Sequence, residues 1–241
     1  MKSRIILFLL VLTGLQVYGQ SGESRFKPGA KIGFNVSSFT RDVAIFDQPD
    51  EAYSSFKNSV RLSFMAGITL DMEMANSFTF GMELLYNSRG MSYSQKNDRV
   101  VIETEGGQTK NAYNNYEYQL DYLELPLTVN YNFKPESANK YVKGYLGIAP
   151  AVALRKKSVL TYPKSDPEHD KQKADLSDVR SFTKSIITGV KLGESYAENE
   201  LYIDFRGSYM PDKVFTHRID DSGKNLDTHM FTFTFSLGFK F

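Results

Sequence analysis

The last eleven residues, Phe231-Thr232-Phe233-Thr234-Phe235-Ser236-Leu237-Gly238-Phe239-Lys240-Phe241, decide the fold. Large apolar side chains occupy every odd position, and small or polar ones every even position. A period of two puts all of the former on one face of a β-strand. At 3.6 residues per turn a helix would smear them around its whole circumference.

The same alternation recurs upstream. Ala30, Ile32, Phe34 and Val36 oppose Lys31, Gly33, Asn35 and Ser37. Leu62, Phe64, Ala66, Ile68 and Leu70 oppose Arg61, Ser63, Met65, Gly67 and Thr69. Phe78, Phe80, Met82, Leu84 and Tyr86 face away from Thr79, Gly81, Glu83 and Asn87. Leu123, Leu125, Leu127, Val129, Tyr131 and Phe133 face away from Glu124, Pro126, Thr128, Asn130 and Asn132. Weaker versions run through 142–154, 185–192 and 201–209. Eight strands result. Pro126 and Pro150 each remove a ladder donor, so irregularities are expected there.

Long polar connections alternate with short ones around Glu73–Asn76, Lys134–Asn139 and Glu194–Asn199. Long loops on one side and tight turns on the other, with both chain ends on the tight-turn side, predict an eight-stranded antiparallel up-and-down transmembrane β-barrel. The long loops would face outward and both termini the periplasm.

Composition is compatible with this reading and excludes several others. The chain has 241 residues, 29 Lys and Arg against 28 Asp and Glu, three His, no Cys, no Trp and a mean hydropathy of -0.37. No partner nucleic acid is expected, because phosphate recognition needs clustered basic excess. Without Cys there are no disulfides, thiolate metal sites or cysteine nucleophiles. No segment approaches the 18 or so apolar residues of a membrane-spanning helix, a criterion that does not apply to membrane strands.

Residues 1–19 read as a signal peptide. Lys2 and Arg4 precede the apolar run Ile5 to Leu12, and Val17-Tyr18-Gly19 suits cleavage before Gln20. Removing Lys2 and Arg4 leaves 27 basic residues of the 29 against 28 acidic, a net charge of -1. With no Cys to acylate, residues 20–241 are expected to form an exported, unlipidated barrel domain.

A soluble lipocalin-like barrel would turn the apolar face inward around a ligand. Three features favour lipid outside. The polar face is rich in Gly, Ser and Thr, which suit a cramped lumen, whereas the aromatics of one strand alone would overfill it. The strands match a ~25 Å apolar band at the usual tilt. The terminal Leu237, Phe239 and Phe241 form an alternating apolar end of the kind read by the outer-membrane barrel assembly machinery.

The segments "PGAKIGFNVSSF", "SFTFGMELLYNSRG", "LDYLELPLTVNYNF", "YVKGYLGIAPAVAL" and "FTFTFSLGFKF", and above all Tyr122-Leu123-Glu124-Leu125-Pro126-Leu127, resemble the PorT-like outer-membrane β-barrel family of Bacteroidetes. The resemblance implies an outer-membrane location in a diderm bacterium. It also implies a structural or interaction role in the envelope and a link to type IX secretion. Expected partners are outer-membrane lipid and lipopolysaccharide, the assembly machinery, and other envelope or secretion proteins.

On the predicted lumen face lie Lys31, Arg61, Lys143, Lys191, Arg206 and Lys240, with Glu83, Glu124 and Asp204. A conduit or acid/base site is conceivable, but an eight-stranded lumen is too thin for solutes. Charges withdrawn from water persist by pairing. The expectation is a structural polar network in which Glu83 and Glu124 share the Arg61 or Arg206 guanidinium.

No cofactor, metal or catalysis is expected. A surface hydrolase or lipid A-modifying enzyme would have to recruit His169, His217 or His229 with Ser158, Ser165, Asp170, Asp220, Asp221 or Asp227. No spacing enforces such a set. Asp220-Asp221-Ser222-Gly223-Lys224-Asn225 lacks the alternating acids and closing Glu of a calcium loop, and Glu105-Gly106-Gly107-Gln108 lacks the Lys-Ser/Thr of a phosphate loop. Tyr113, Tyr116, Tyr118 and Tyr122 read as part of an interfacial aromatic girdle.

Overall fold

The computed structural model describes residues 26–40, 56–75, 77–103, 109–133, 139–163, 171–196, 199–216 and 227–241. The signal-peptide segment, His169, His217, Ser165, Asp170, and the runs 104–108 and 220–225 lie outside these residues.

Eleven β-segments form one antiparallel sheet: β1 (Phe26–Phe39), β2 (Phe56–Ser59), β3 (Arg61–Ala75), β4 (Phe78–Glu103), β5 (Thr109–Glu124), β6 (Leu127–Asn132), β7 (Lys140–Thr161), β8 (Gln172–Asp175), β9 (Phe182–Tyr196), β10 (Asn199–Met210) and β11 (Met230–Lys240). Each long strand pairs with its neighbour in sequence, and β1 pairs with both β3 and β11, which closes the sheet into a ring. Eight staves make the wall: β5 and β6 are one stave broken at Leu125–Pro126, β2 and β3 lie successively along β4, and β8 is a four-residue addition to the upper end of β7. The pairs Leu85–Glu124 and Met82–Leu127 keep one register across the break. Pro126 still accepts through its carbonyl from Glu83 N, at 2.9 Å. The expected irregularity is thus present at Pro126, whereas β7 runs through Pro150 without interruption.

The apolar face is outside. Leu62 and Phe233 are 71% and 66% exposed, and Phe34, Leu123, Leu146, Ile186 and Phe205 join them in a continuous belt. Inside, Asn35, Glu83, Lys191, Asp204, Ser236 and Lys240 are fully buried. A soluble ligand-binding barrel has the opposite arrangement, so the lipocalin-like alternative is set aside.

Inward tyrosines fill the lower lumen, the half nearest the chain ends, in a repeated way. Tyr141, Tyr145 and Tyr202 each lie over the glycine directly opposite on the next strand: Gly193, Gly189 and Gly238. At Gly238 a methyl group would sit 2.1 Å from Tyr202 Cζ, so only glycine admits the ring.

The upper half differs from the sequence expectation. An apolar band of ~25 Å takes about 9–11 tilted residues. β11 has 11 residues, but β4 has 26 and β5 has 16, and their ladder continues to Glu103–Thr109. What the sequence presented as a polar connection between Asn87 and Leu123 is therefore mostly a hairpin rising past the membrane. In it the hydrophobic phase inverts. On β5, Leu123 faces out and Glu124 in. Above Asp121, however, Asn115 faces out while Tyr116, Tyr118 and Leu120 are buried inside.

Accordingly Tyr116, Tyr118 and Tyr122 are not girdle residues. They join Phe39, Met91, Tyr93, Met210, Val214 and Phe215 in an apolar plug within the barrel mouth, and only Tyr113 of the four is exposed. Over this plug the segments before β9 and after β10 meet in a Val179–Phe215 bridge.

One gap in the wall marks the transition. Between the pairs Ser59–Ser92 and Met65–Asn87, residues 60–64 face residues 88–91 without ladder bonds. Gly90 adopts φ 143° there. Side chains replace the lost bonds. Asn35 Nδ2 (2.9 Å) and Ser63 Oγ (2.6 Å) donate to Ser88 O, and Gly90 N donates to Ser37 Oγ at 2.9 Å.

Candidate functional site

The charged lumen is built by strand alternation, which turns Lys31 (β1), Asp71 (β3), Glu83 and Arg89 (β4), Glu124 (β5), Lys191 (β9), Glu200, Asp204 and Arg206 (β10) and Lys240 (β11) inward. Three tiers result. Nearest the chain ends, Lys240 Nζ donates to Asp71 Oδ2 and, at 3.2 Å, to Glu200 Oε2; Lys27 Nζ reaches Glu200 Oε1 at 2.7 Å.

In the middle tier, Glu83 receives Arg206 Nη2 on both oxygens at 2.9 and 2.8 Å and Lys31 Nζ at 3.0 Å. Asp204 receives Lys31 Nζ at 2.8 Å and Tyr145 Oη at 2.7 Å, and Arg206 Nε donates to that same Tyr145 oxygen at 2.9 Å. Lys191 Nζ stands 3.8 Å from Glu83 and faces the rings of Tyr145 and Tyr202 at 5.3 and 5.7 Å.

The upper tier centres on Glu124, which receives Arg89 Nη2 at 2.8 Å and Asn87 Nδ2 at 2.6 Å. Asn35 links Asn87 to Thr234 through two hydrogen bonds of 2.7 Å.

This corrects two expectations. Glu83 and Glu124 share no guanidinium: Glu83 takes Arg206 and Glu124 takes Arg89. Arg61 is not part of the lumen network, because it occupies the wall gap, where its Nη1 donates to Arg89 O at 2.9 Å and Ser88 Oγ at 3.1 Å. Its position keeps the inward parity, opposite buried Ser37 and between exposed Val60 and Leu62, but the side chain turns into the gap where five residues face four. Lys143 is half-buried and rests on the Tyr141 ring at 4.4 Å, with no carboxylate within 4 Å among the described residues. Sequence reasoning missed Arg89, Asp71 and Glu200. For Arg89 the signal was present, since it continues the parity of Glu83 and Asn87.

The arrangement can hold charge but offers little chemistry. Every carboxylate in the middle tier is paired with at least two cations, and its side chains are almost wholly buried. Among the described residues, no group of three or more His, Asp or Glu is placed to hold a metal. His229 Nε2 lies 3.3 Å from Asp227 at the mouth, and its Nδ1 has no hydrogen-bond partner. Ser158 faces into the barrel on β7. Leu237, Phe239 and Phe241 all point outward at the other end.

The chain is similar to solved outer-membrane proteins. The outer membrane protein OprG from Pseudomonas aeruginosa is 10% identical, with 91% of this chain and 98% of that chain covered and a TM-score of 0.40. Neisserial surface protein A is 17% identical, covering 92% and 100%, with a TM-score of 0.39. Ail, the attachment invasion locus protein of Yersinia pestis, is 12% identical, covering 90% and 100%, with a TM-score of 0.38. No curated protein matches the chain. Residues 18–211 match the model of the outer membrane protein beta-barrel domain; a closed antiparallel ring with its apolar belt outside and its charges inside therefore belongs to that family of outer-membrane barrels.

Proposed function

We propose that this outer-membrane barrel is a non-enzymatic envelope component, PorT-like and linked to type IX secretion, that works through contacts at its rim. The observation that carries this reading is the filled lumen: among the described residues, paired charges below and an aromatic plug above occupy the barrel interior, so interaction falls to the surfaces beyond the membrane. The short connections near the chain ends support a periplasmic position for both termini, with the long β4–β5 hairpin outside. Outer-membrane lipid surrounds the belt, the assembly machinery reads Leu237, Phe239 and Phe241, and secretion or other envelope proteins dock on the rim. The secretion role rests on the resemblance around Tyr122–Leu127.

Deleting the gene is expected to block export of type IX cargo while the outer membrane stays sealed to dyes. Normal cargo export in the deletion strain would remove the secretion role. The Asp227–His229 contact is the one feature favouring a hydrolase or lipid A-modifying enzyme; its described neighbours are Lys213, 3.4 Å from Asp227, and Thr40, whose hydroxyl takes the backbone N–H of His229 at 2.9 Å and not the imidazole.

A further inference from the structure

The inversion of hydrophobic phase locates the upper edge of the apolar belt, and a second charged cluster sits on the wall at that edge. Asp121 on β5 is almost wholly buried and receives Tyr86 Oη at 2.6 Å, Ser88 Oγ at 2.7 Å and Arg155 Nε at 2.7 Å. Arg155 follows the β7 bulge, where the pairing steps from Tyr122–Ala153 to Asp121–Arg155 and skips Leu154. Leu154 itself is exposed to the lipid side, as is Val152.

Asp121 holds Arg155 by Nε alone. The two terminal nitrogens, which form the fork suited to phosphate oxygens, are left without a partner among the described residues. The Arg155 side chain is 46% exposed. Lys157, two residues further up the strand, is 43% exposed, and among the described residues its one acid within 4 Å is the solvent-exposed Asp175 at 3.8 Å. Arg61 lies behind this pair, nearly buried, donating to Ser88 Oγ at 3.1 Å and standing 3.9 Å from Glu117. A stability role alone would not require the Arg155 fork to be displayed at the height where hydrocarbon gives way to headgroups.

We propose that Arg155, oriented by Asp121 and assisted by Lys157, binds a phosphate of lipid A in the outer leaflet. This deepens the proposed function and rests on its orientation, with the hairpin end outside. Basic side chains at a bilayer surface attract anionic headgroups, and here the attraction is fixed to one site by a pre-set guanidinium and an adjoining acyl-facing wall of Val152 and Leu154.

Purified folded barrel should retain lipid A in native mass spectrometry. R155Q and K157Q should each weaken that binding about fivefold, and the double variant more than tenfold. D121N, which releases the guanidinium, should weaken it as much as R155Q while Arg155 is still present. Lipid A stripped of phosphate should bind wild type no better than bisphosphorylated lipid A binds R155Q. Heat-dependent gel mobility reports that each variant has folded. Equal lipid A binding by folded wild type and R155Q/K157Q would overturn the proposal, as would binding of phosphatidylglycerol as tight as that of lipid A. These outcomes are independent of cargo export, so the site and the secretion role fail separately.

Discussion

Glu83→Gln is expected to be the most damaging single substitution in the lumen, lowering stability by about 3–5 kcal/mol. Glu83 is the acid on which Arg206, Lys31 and Lys191 converge. Neutralising it leaves Lys31 and Arg206 sharing Asp204, and Lys191 with no carboxylate within 4 Å among the described residues, all in a buried space. The cost is that of an uncompensated buried charge, not of one lost hydrogen bond. Glu124→Gln should cost less than Glu83→Gln, since Arg89 is the sole cation left unmatched, yet still measurably. Glu73→Gln, at the exposed end of Lys27, should stay within about 0.5 kcal/mol of wild type. Urea titrations of the three variants in lipid vesicles give the ranking. A Glu83→Gln barrel as stable as Glu73→Gln would mean that the central tier does not hold the wall together.

The second large effect lies on the outward face of the wall. Phe205 points outward midway along β10 and packs edge-on against Phe235 at 5.2 Å. Phe205→Arg should cost about 2–4 kcal/mol in vesicles, the penalty for a guanidinium at the middle of the hydrocarbon layer. Asn115→Arg, also outward but above the phase inversion, should be nearly neutral. In a water-facing wall the Phe205 substitution would cost little and improve solubility, so the two interpretations of this face predict different magnitudes.

How much of this was legible in the sequence follows from which solvent each residue meets. Within the belt one rule holds throughout, apolar out and polar in, and positions such as Phe231, Phe233 and Phe239 announce it directly. Past Asp121 the rule reverses, because water lies outside and an apolar plug inside. Ser92 and Asn115 then look like loop residues, although they extend the same strands. Tyr116, Tyr118 and Tyr122 share the parity of Glu124 and could have been placed inward by counting in twos from it. For Arg61 counting gives the inward position but not the turn of its side chain, which depends on a gap that exists only once β2, β3 and β4 are paired. Asp71 and Glu200 continue the inward parity of Thr69 and Asp204, beyond the point where the apolar alternation is easy to follow.

The central claim is an inside-out barrel whose hydrophobic phase inverts at Asp121. It is tested most directly by spin-label scanning along β5 and β6 in a chain that has no native cysteine to interfere. With single labels from 113 to 131 in vesicles, odd positions 113, 115 and 117 should be relaxed by an aqueous nickel complex, whereas 123, 129 and 131 should be relaxed by oxygen dissolved in the bilayer. Even positions should be shielded from both. Aqueous relaxation at the even positions, or one relaxant dominating at every odd position on both sides of Asp121, would contradict the account.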